Sequence, residues 1–201
     1  QAFQAIAQEQ MRAPITPQYL AHCLNETIPS SSIVLAETVS STGEVMTYLE
    51  RTEPGSLFQS GGSSLGWAMG AAIGHKLAAP NSDVISLVGD GAFVFGCPTS
   101  ALWGAEQYRA PFLTVIFNNS MHFATKRALQ TWFPDGSSKR TGRWTGIDIT
   151  PSPEYALLAQ ACRAYGERVD LPDQLIEALQ RGLERIRDGQ CAVIDVRIQR
   201  F

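Results

Sequence analysis

Runs of consecutive apolar residues recur along this chain and predict short buried strands. They span 33–36, 84–88, 112–117 and, with two charged interruptions, 192–198. A strand that meets water on one face alternates apolar and polar residues, whereas a strand covered on both faces is apolar throughout. The runs therefore favour a parallel sheet that is buried between two layers.

Helical periodicity occupies the intervals between these runs. In 173–188 apolar residues recur every three or four positions until Gly189 ends the helix. Further helices are predicted at 17–27, 65–79, 98–109 and 153–164, and a capped helix opens within 37–43. Strands that alternate with helices predict a three-layer α/β domain, with a mostly parallel central sheet and helices on both faces.

Two stretches lack such a pattern. Residues 1–13 are polar and helix-prone, and we expect them to be a linker from a missing upstream domain, with the domain itself at 14–201. Residues 120–150 combine aromatic residues and glycines without a period. A segment of this length in a compact domain is typically functional or mobile.

Composition narrows the class of protein. The chain has 201 residues, 44% of them apolar, and a net charge of −3, with no basic run that would indicate nucleic-acid binding. Its four cysteines form no close pair, so zinc ligation is not expected, and reduced thiols favour the cytoplasm or an organelle matrix. The longest apolar segment, 65–79, is too short to span a membrane. The spacing of Gly66, Gly70 and Gly74 instead predicts close packing of a helix on the sheet.

The candidate chemistry lies past the ends of two predicted strands. Gly89-Asp90-Gly91 follows the strand at 84–88, and Asn118-Asn119 follows the strand at 112–117. In open α/β sheets, ligands bind beyond the carboxyl ends of the strands. One carboxylate and one amide oxygen suit Mg²⁺, and glycine lets the backbone approach a phosphate closely. The pattern predicts a diphosphate site that is bridged by Mg²⁺.

This pair of motifs resembles the diphosphate-binding signature of thiamine diphosphate (ThDP) enzymes. From about Thr16 to Ile198 the chain is similar to the C-terminal domain of the acetolactate synthase, benzoylformate decarboxylase and pyruvate decarboxylase group. Further residues that carry the resemblance lie at 60–67, 101–103, 107–111 and 155–166. The resemblance implies a ThDP-binding fold.

The chain departs from the family pattern at two places. Asp90 and Asn119 are 29 positions apart, slightly more than in the best-known members, and we expect the extra length in a loop at 93–98. Ala92 stands where many relatives carry serine, which removes one hydroxyl contact to phosphate. These departures leave the cofactor assignment intact but weaken any transfer of substrate.

The resemblance implies a metal site and a set of cofactor contacts. Asp90, Asn119 and the backbone carbonyl of Met121 would bind Mg²⁺, while Asn118 braces the turn. The residues that would contact ThDP are Ser40, Ser63, Ser64, Leu65, Gly89, Gly91, Ala92, His122 and Phe123. Within this set Leu65 would prop the bent cofactor, and the Ser63 carbonyl would accept a hydrogen bond from its 4′-amino group.

Several of these residues also have a simpler interpretation. Ser40 could merely cap a helix, Leu65 could serve ordinary helix packing, and His122 could be a catalytic group or a local packing contact. Residues Thr125, Lys126 and Arg127 are candidates for binding a substrate carboxylate, or are surface residues. The sequence alone leaves these alternatives open.

The function implied is that of the cofactor-binding part of an acetolactate-synthase-like 2-oxo acid decarboxylase or carboligase. In the family the essential activating glutamate lies on a separate pyrimidine-binding domain, of the same or a partner subunit, in a homodimer or tetramer. This chain alone is therefore expected to be inactive. Two alternatives are the natural β chain of a split ThDP enzyme and a non-catalytic module with the same fold.

Overall fold

A single six-stranded sheet, with every strand parallel to its neighbours, organises the described part of the chain. The protein is represented by a computed structural model that describes Ala5 and residues 11–62 and 64–200. The strands are β1 (Ile33–Glu37), β2 (Leu57–Gln59), β3 (Val84–Gly89), β4 (Leu113–Asn118), β5 (Tyr165–Val169) and β6 (Ala192–Arg197). Their order in the sheet is β2-β1-β3-β4-β6-β5.

Helices connect the strands in sequence. They are α1 (Pro17–Thr27), α2 (Thr42–Tyr48), α3 (Ala68–Ala78), α4 (Asp90–Phe95), α5 (Pro98–Gln107), α6 (Phe123–Trp132), α7 (Ser137–Thr141), α8 (Tyr155–Ala161) and α9 (Leu175–Arg187). Short 3₁₀ turns precede α2 at Val39–Ser41 and α9 at Pro172–Gln174. The parallel crossovers require such intervening elements, because neighbouring parallel strands cannot be joined by tight turns.

The sheet separates two hydrophobic cores, which confirms the predicted three-layer fold. Side chains alternate along β3, so that Ile85 and Leu87 enter one core while Val84 and Val88 enter the other. The first core is covered by α1, α2 and α9, and the second by α3, α4, α5 and α8. Burial on both faces explains why the central strands are apolar throughout.

The edges of the sheet differ from the sequence prediction. The strands β2 and β5 were not predicted, since their residues are partly exposed and form no apolar run. The segment expected to be a loop at 93–98 instead begins inside α4. The stretch at 120–150, which has no sequence period, contains α6 and α7, neither of which has a buried residue.

The glycine spacing in α3 was misinterpreted from the sequence. A Cβ on Gly70 or Gly74 would meet no described atom within 4 Å, so these glycines do not bring α3 close to the sheet. The close backbone approach is made by Gly66 alone of the three, and its partner is Gly96 at the end of α4.

Two further expectations concern membrane-spanning helices and the linker at 1–13. Within residues 11–62 and 64–200, every helix is too short or too polar to cross a membrane. The expected linker at 1–13 falls mostly outside the described residues.

Candidate functional site

A cavity of about 460 Å³ opens at the carboxyl ends of β1, β3 and β4. Its wall is formed by the turn after β1, the β3–α4 junction, the segment after β4 and the start of α6. It brings together most of the residues predicted from the sequence: Ser40, Leu65, Gly89, Asp90, Gly91, Ala92, Met121, His122 and Phe123. The predicted end of the sheet therefore holds a concave site with the expected residues around it.

The remaining predicted residues lie differently. Asn119 is buried, with 3% of its surface exposed, but does not itself line the cavity. Ser64 is exposed and lies outside the cavity wall. Ser63 falls outside the described residues.

The two motif ends meet because β3 and β4 are parallel neighbours. Gly89 is in register with Phe117, so the residues that follow both strands emerge at the same edge of the sheet. The backbone N–H of Ser120 lies close enough to the Asp90 carboxylate to favour its charged form. The fold thus joins positions that are about thirty residues apart in sequence.

The Asp90 carboxylate is buried with an incomplete set of partners. It is 2% exposed, and its Oδ2 has no hydrogen-bond partner among the described residues. Desolvation raises the pKa of Asp90 to about 7, although the backbone N–H groups of Gly91, Asp90 and Ser120 favour the charged form. A bound cation would offset the cost of keeping this carboxylate charged.

Asn119 and Met121 form a tight turn beside Asp90. The Asn119 Oδ1 accepts a hydrogen bond from the Met121 N–H at 3.0 Å, and Ser120 between them is left-handed, with a φ of +57°. Met121 also faces Asp148 in an antiparallel bridge. The two hydrogen bonds of that bridge come from the residues on either side of Met121, so neither uses the Met121 carbonyl.

A buried polar layer supports this turn from below. Asn118 donates from Nδ2 to Oδ1 of Asp195 at 2.7 Å, and its own Oδ1 accepts from the Ser120 N–H at 3.1 Å. Desolvation raises the pKa of Asp195 to about 6, while the hydrogen bond from Asn118 favours its charged form. The hydroxyl of fully buried Tyr155 finds no partner in the part of the chain that the structure describes. Asn118 thus braces the turn.

The oxygen donors around Asp90 fit Mg²⁺ better than a softer metal. A carboxylate, an amide oxygen and a backbone carbonyl are hard ligands, and Mg²⁺ completes its octahedron with phosphate oxygens and water. No group of three or more His, Cys, Asp or Glu side chains in residues 11–62 and 64–200 is arranged to hold a metal ion. Any metal here would use amide and backbone oxygens beside Asp90, together with oxygens of a bound ligand or of water.

His122 packs tightly against the first turn of α4. A Cβ added to Gly91 would overlap the imidazole of His122, so the glycine makes room for the ring. Both residues line the cavity. This contact supports the packing interpretation of His122.

The three candidates for contact with a substrate carboxylate have different surroundings in the structure. Thr125 lines the cavity at the start of α6. The Nζ of Lys126 lies 5.6 Å from the ring centroid of Trp144, so its ammonium group makes a cation–π contact with that ring. Arg127 is exposed. Of the three, Thr125 is the one whose position fits contact with a bound molecule.

Several cavity residues were missed at the sequence level. They are Thr38, Val39 and Phe117. Ala124 and Ala128, which are one helical turn apart on α6, also line the cavity. Glu37, which is buried at the end of β1, was also missed; an acidic residue that ends an apolar strand is the sequence signal for it.

Comparison with known families gives a match over most of the chain. The family described as "Thiamine pyrophosphate enzyme, C-terminal TPP binding domain" matches residues 37–196. That range begins with the buried acid at the end of β1 and closes in β6, so it includes the whole cavity.

Individual proteins are similar over the same region. Benzoylformate decarboxylase of Pseudomonas aeruginosa is 33% identical over 168 residues, which cover 81% of this chain and 28% of that protein. The acetolactate synthase large subunit of Buchnera aphidicola is 28% identical over 152 residues, or 75% of this chain and 25% of that protein. The chain thus spans about a quarter of the length of the curated relatives it matches.

A solved structure shows the same architecture. The ThDP-dependent 4-hydroxybenzoylformate decarboxylase of Rhodococcus jostii superposes with a TM-score of 0.82 at 26% sequence identity. The superposition covers 94% of this chain and 34% of that protein.

Proposed function

The chain belongs to the family of thiamine pyrophosphate enzymes, as their C-terminal TPP-binding domain, and we propose that it binds the diphosphate of ThDP through Mg²⁺. Asp90, Asn119 and the Met121 carbonyl would hold the metal. The backbone at Gly89, Gly91 and Ala92 would lie along the phosphates, where small residues let them approach closely.

One observation carries this proposal. The Oδ2 of Asp90 is buried, lacks a hydrogen-bond partner among the described residues and belongs to a residue of the cavity wall. A buried carboxylate oxygen in this condition is stabilised by a cation. Mg²⁺ that is also bound by a diphosphate would supply that charge. Such an ion needs only a few oxygen ligands from the protein.

The remaining contacts are assigned by position. Ser40 would donate to the diphosphate from the turn after β1, and Leu65 would support the organic part of the cofactor. Ser63, Ser64, His122 and Phe123 complete the proposed set. For Ser63 and Ser64 the proposal rests on the family motif, because neither contributes a described side chain to the cavity.

We further propose that the complete protein is a decarboxylase or carboligase acting on a 2-oxo acid. When bound, ThDP supplies the electron sink for cleavage next to a carbonyl group. The residues of this chain hold and orient the cofactor, and the activating glutamate lies on another domain. Benzoylformate and pyruvate are the first substrates to test, because the relatives include a benzoylformate decarboxylase and an acetolactate synthase.

The assembly is part of the same proposal. Phe95, Trp103 and Tyr108 lie on or at the end of α4 and α5 and are 63%, 66% and 64% exposed. Large exposed aromatic residues are typical of surfaces that contact another domain or subunit. They support contact with another domain or subunit, and we propose a pyrimidine-binding domain in that role, within a homodimer or tetramer. The four free cysteines support a reducing compartment, the cytoplasm or an organelle matrix.

The metal assignment is tested by titrating ThDP in the presence and absence of Mg²⁺. We expect the wild-type protein to bind ThDP only weakly without Mg²⁺. Asp90→Asn should weaken Mg²⁺-dependent binding at least about tenfold, because the amide cannot supply the negative charge that the cation needs. Isothermal titration calorimetry measures both affinities.

Asp83→Asn is the matched control for this substitution. Asp83 lies before β3, at the opposite end of the sheet, where it pairs with Arg187 at 2.6 Å. Its neutralisation should leave ThDP affinity unchanged. Binding of ThDP and Mg²⁺ by Asp90→Asn with wild-type affinity would refute the metal assignment.

A further inference from the structure

A buried carboxylate connects two walls of the cavity. Glu37 ends β1 and is 6% exposed. Its Oε1 accepts a hydrogen bond from the Gly66 N–H at 2.5 Å, and its Oε2 accepts one from the Ala68 N–H at 2.8 Å. Both carboxylate oxygens are therefore committed to one segment, 29 to 31 residues further along the chain.

That segment carries Leu65 into the cavity. Leu65 lines the cavity wall directly before Gly66, and Ala68 is the first residue of α3. The two hydrogen bonds from Glu37 hold the backbone immediately after Leu65. Hydrogen bonds to an ionised carboxylate are stronger than those between neutral groups, and two of them restrict orientation as well as distance.

A second contact holds the same segment from another direction. Gly66 is left-handed, with a φ of +93°, and a Cβ on it would lie 2.7 Å from the Cα of Gly96. A Cβ on Gly96 would in turn lie 3.0 Å from the Cα of Gly66. Gly66 is thus fixed between the carboxylate at the end of β1 and the end of α4. Its backbone has little freedom to move along the cavity wall.

We propose that Glu37 is a positioning residue for the cofactor, acting through Leu65. It would not touch ThDP; it would hold Leu65 where an aliphatic side chain supports the rings of the cofactor. This inference rests on the proposed function of the site. It also gives Glu37 a role that differs from that of Asp90, since one residue sets the position of the organic part and the other binds the metal.

The aliphatic side chain of Leu65 predicts an effect on the binding of ThDP but not of pyrophosphate. An aliphatic side chain can support apolar and aromatic rings but offers nothing to a phosphate. If Glu37 acts through Leu65, its loss weakens binding of ThDP while leaving binding of inorganic pyrophosphate with Mg²⁺ intact. A residue that only stabilises the fold would affect both ligands alike. Comparing the two ligands therefore distinguishes a positioning role of Glu37 from a role in fold stability alone.

The experiment compares these two ligands on the intact protein. Calorimetric titrations with ThDP and with inorganic pyrophosphate, each with Mg²⁺, are made on wild type, Glu37→Gln and Leu65→Ala. The glutamine amide keeps the size of the side chain but offers one acceptor for two N–H donors. We expect Glu37→Gln and Leu65→Ala to weaken ThDP binding about tenfold and pyrophosphate binding less than about twofold.

Three further variants sharpen the comparison. Gly66→Ala would place a Cβ 2.7 Å from the Cα of Gly96, so it displaces the backbone after Leu65 and should show the same selective loss without changing the carboxylate. Glu37→Asp keeps both oxygens on a shorter side chain and should recover part of the ThDP affinity. Leu179→Ala opens a cavity in the opposite core and should lower stability while keeping both affinities.

The outcomes separate this inference from the proposed function. Wild-type protein that binds neither ligand with Mg²⁺ would overturn both. Wild type that binds both ligands, with Glu37→Gln unchanged or weakened equally for the two, would overturn the role of Glu37 alone. Should Glu37→Gln not fold, Glu37→Asp decides: affinities for ThDP and pyrophosphate that are both unchanged or equally weakened would overturn the role of Glu37.

Discussion

Two buried carboxylates, Asp90 and Asp195, dominate the electrostatics of the site at the scale of single residues. Desolvation raises the pKa of Asp90 to about 7 and that of Asp195 to about 6. Because each folded-state pKa lies above the ordinary value, the folded chain binds these protons more tightly than the unfolded chain does. Without ligands, stability is therefore highest at low pH for these groups and falls as pH rises from about 4 to about 7.

Asp195→Asn tests this electrostatic cost without changing a proposed metal ligand. The amide retains an oxygen for the Nδ2 of Asn118 but carries no charge to desolvate. We expect no change in stability near pH 4 and a gain of roughly 1 to 3 kcal/mol near pH 8, where the wild-type carboxylate is ionised. Denaturant unfolding at the two pH values measures the difference. An equal effect at both would contradict the explanation.

Single residues also differ in whether the sequence alone identifies them as site residues. Asp90 and Asn119 directly follow apolar strands and carry oxygen ligands, so the local sequence shows both their position and their chemistry. Glu37 has equally specific contacts, but its partners lie 29 and 31 residues away. A contact between a strand end and a distant loop leaves no local period, and only the fold reveals it.

At the scale of elements, burial on both faces decides what can be predicted. The strands β1, β3, β4 and β6 are central and apolar, and they were predicted within one or two residues. The edge strand β5 mixes Glu167 and Arg168 with apolar residues, and the three-residue β2 has too few positions to show a pattern. Without a buried face, α6 and α7 have no core-directed stripe to detect.

The packing of β5 on α8 requires a glycine. A Cβ on Gly166 would overlap the carbonyl oxygen of Ala156, which is backbone and cannot rotate away. We expect Gly166→Ala to lower the free energy of unfolding by about 1–3 kcal/mol, as overpacking does elsewhere. Thermal or denaturant unfolding measures the change.

Gly70→Ala is the matched control within a helix. A Cβ there meets no described atom within 4 Å, and alanine favours a helix interior over glycine by about 1 kcal/mol. The two Gly→Ala substitutions should therefore have opposite signs. A stabilising Gly166→Ala would show that α8 and β5 are less closely packed than the structure indicates.

At the scale of the whole molecule, the strand order concentrates the chemistry at one edge. The central strands β1, β3 and β4 are neighbours, so their carboxyl ends contribute to one cavity. That cavity offers oxygen ligands and an apolar support, but we assign it no group that would activate the cofactor. In the proposed function this cavity holds the diphosphate end of ThDP, and a separate domain holds the pyrimidine end.

Because the proposed function assigns cofactor binding and cofactor activation to different domains, we expect this chain to bind ligands without catalysing turnover. We expect the 201-residue chain by itself to bind Mg²⁺ with pyrophosphate or ThDP but not to decarboxylate pyruvate. Activity should require a pyrimidine-binding domain that supplies the activating glutamate. Carbon dioxide release, measured with and without that domain, tests the prediction. Turnover by the chain alone would contradict it.

The contact between Gly91 and His122 also restricts how this chain can change over evolutionary time. Any side chain at position 91 would occupy the volume of the imidazole ring at position 122. A smaller residue at position 122 would remove this clash, but the close approach proposed for a phosphate would still favour glycine at position 91. Among descendants of this sequence, a larger residue at position 91 should therefore occur only together with a smaller residue at position 122.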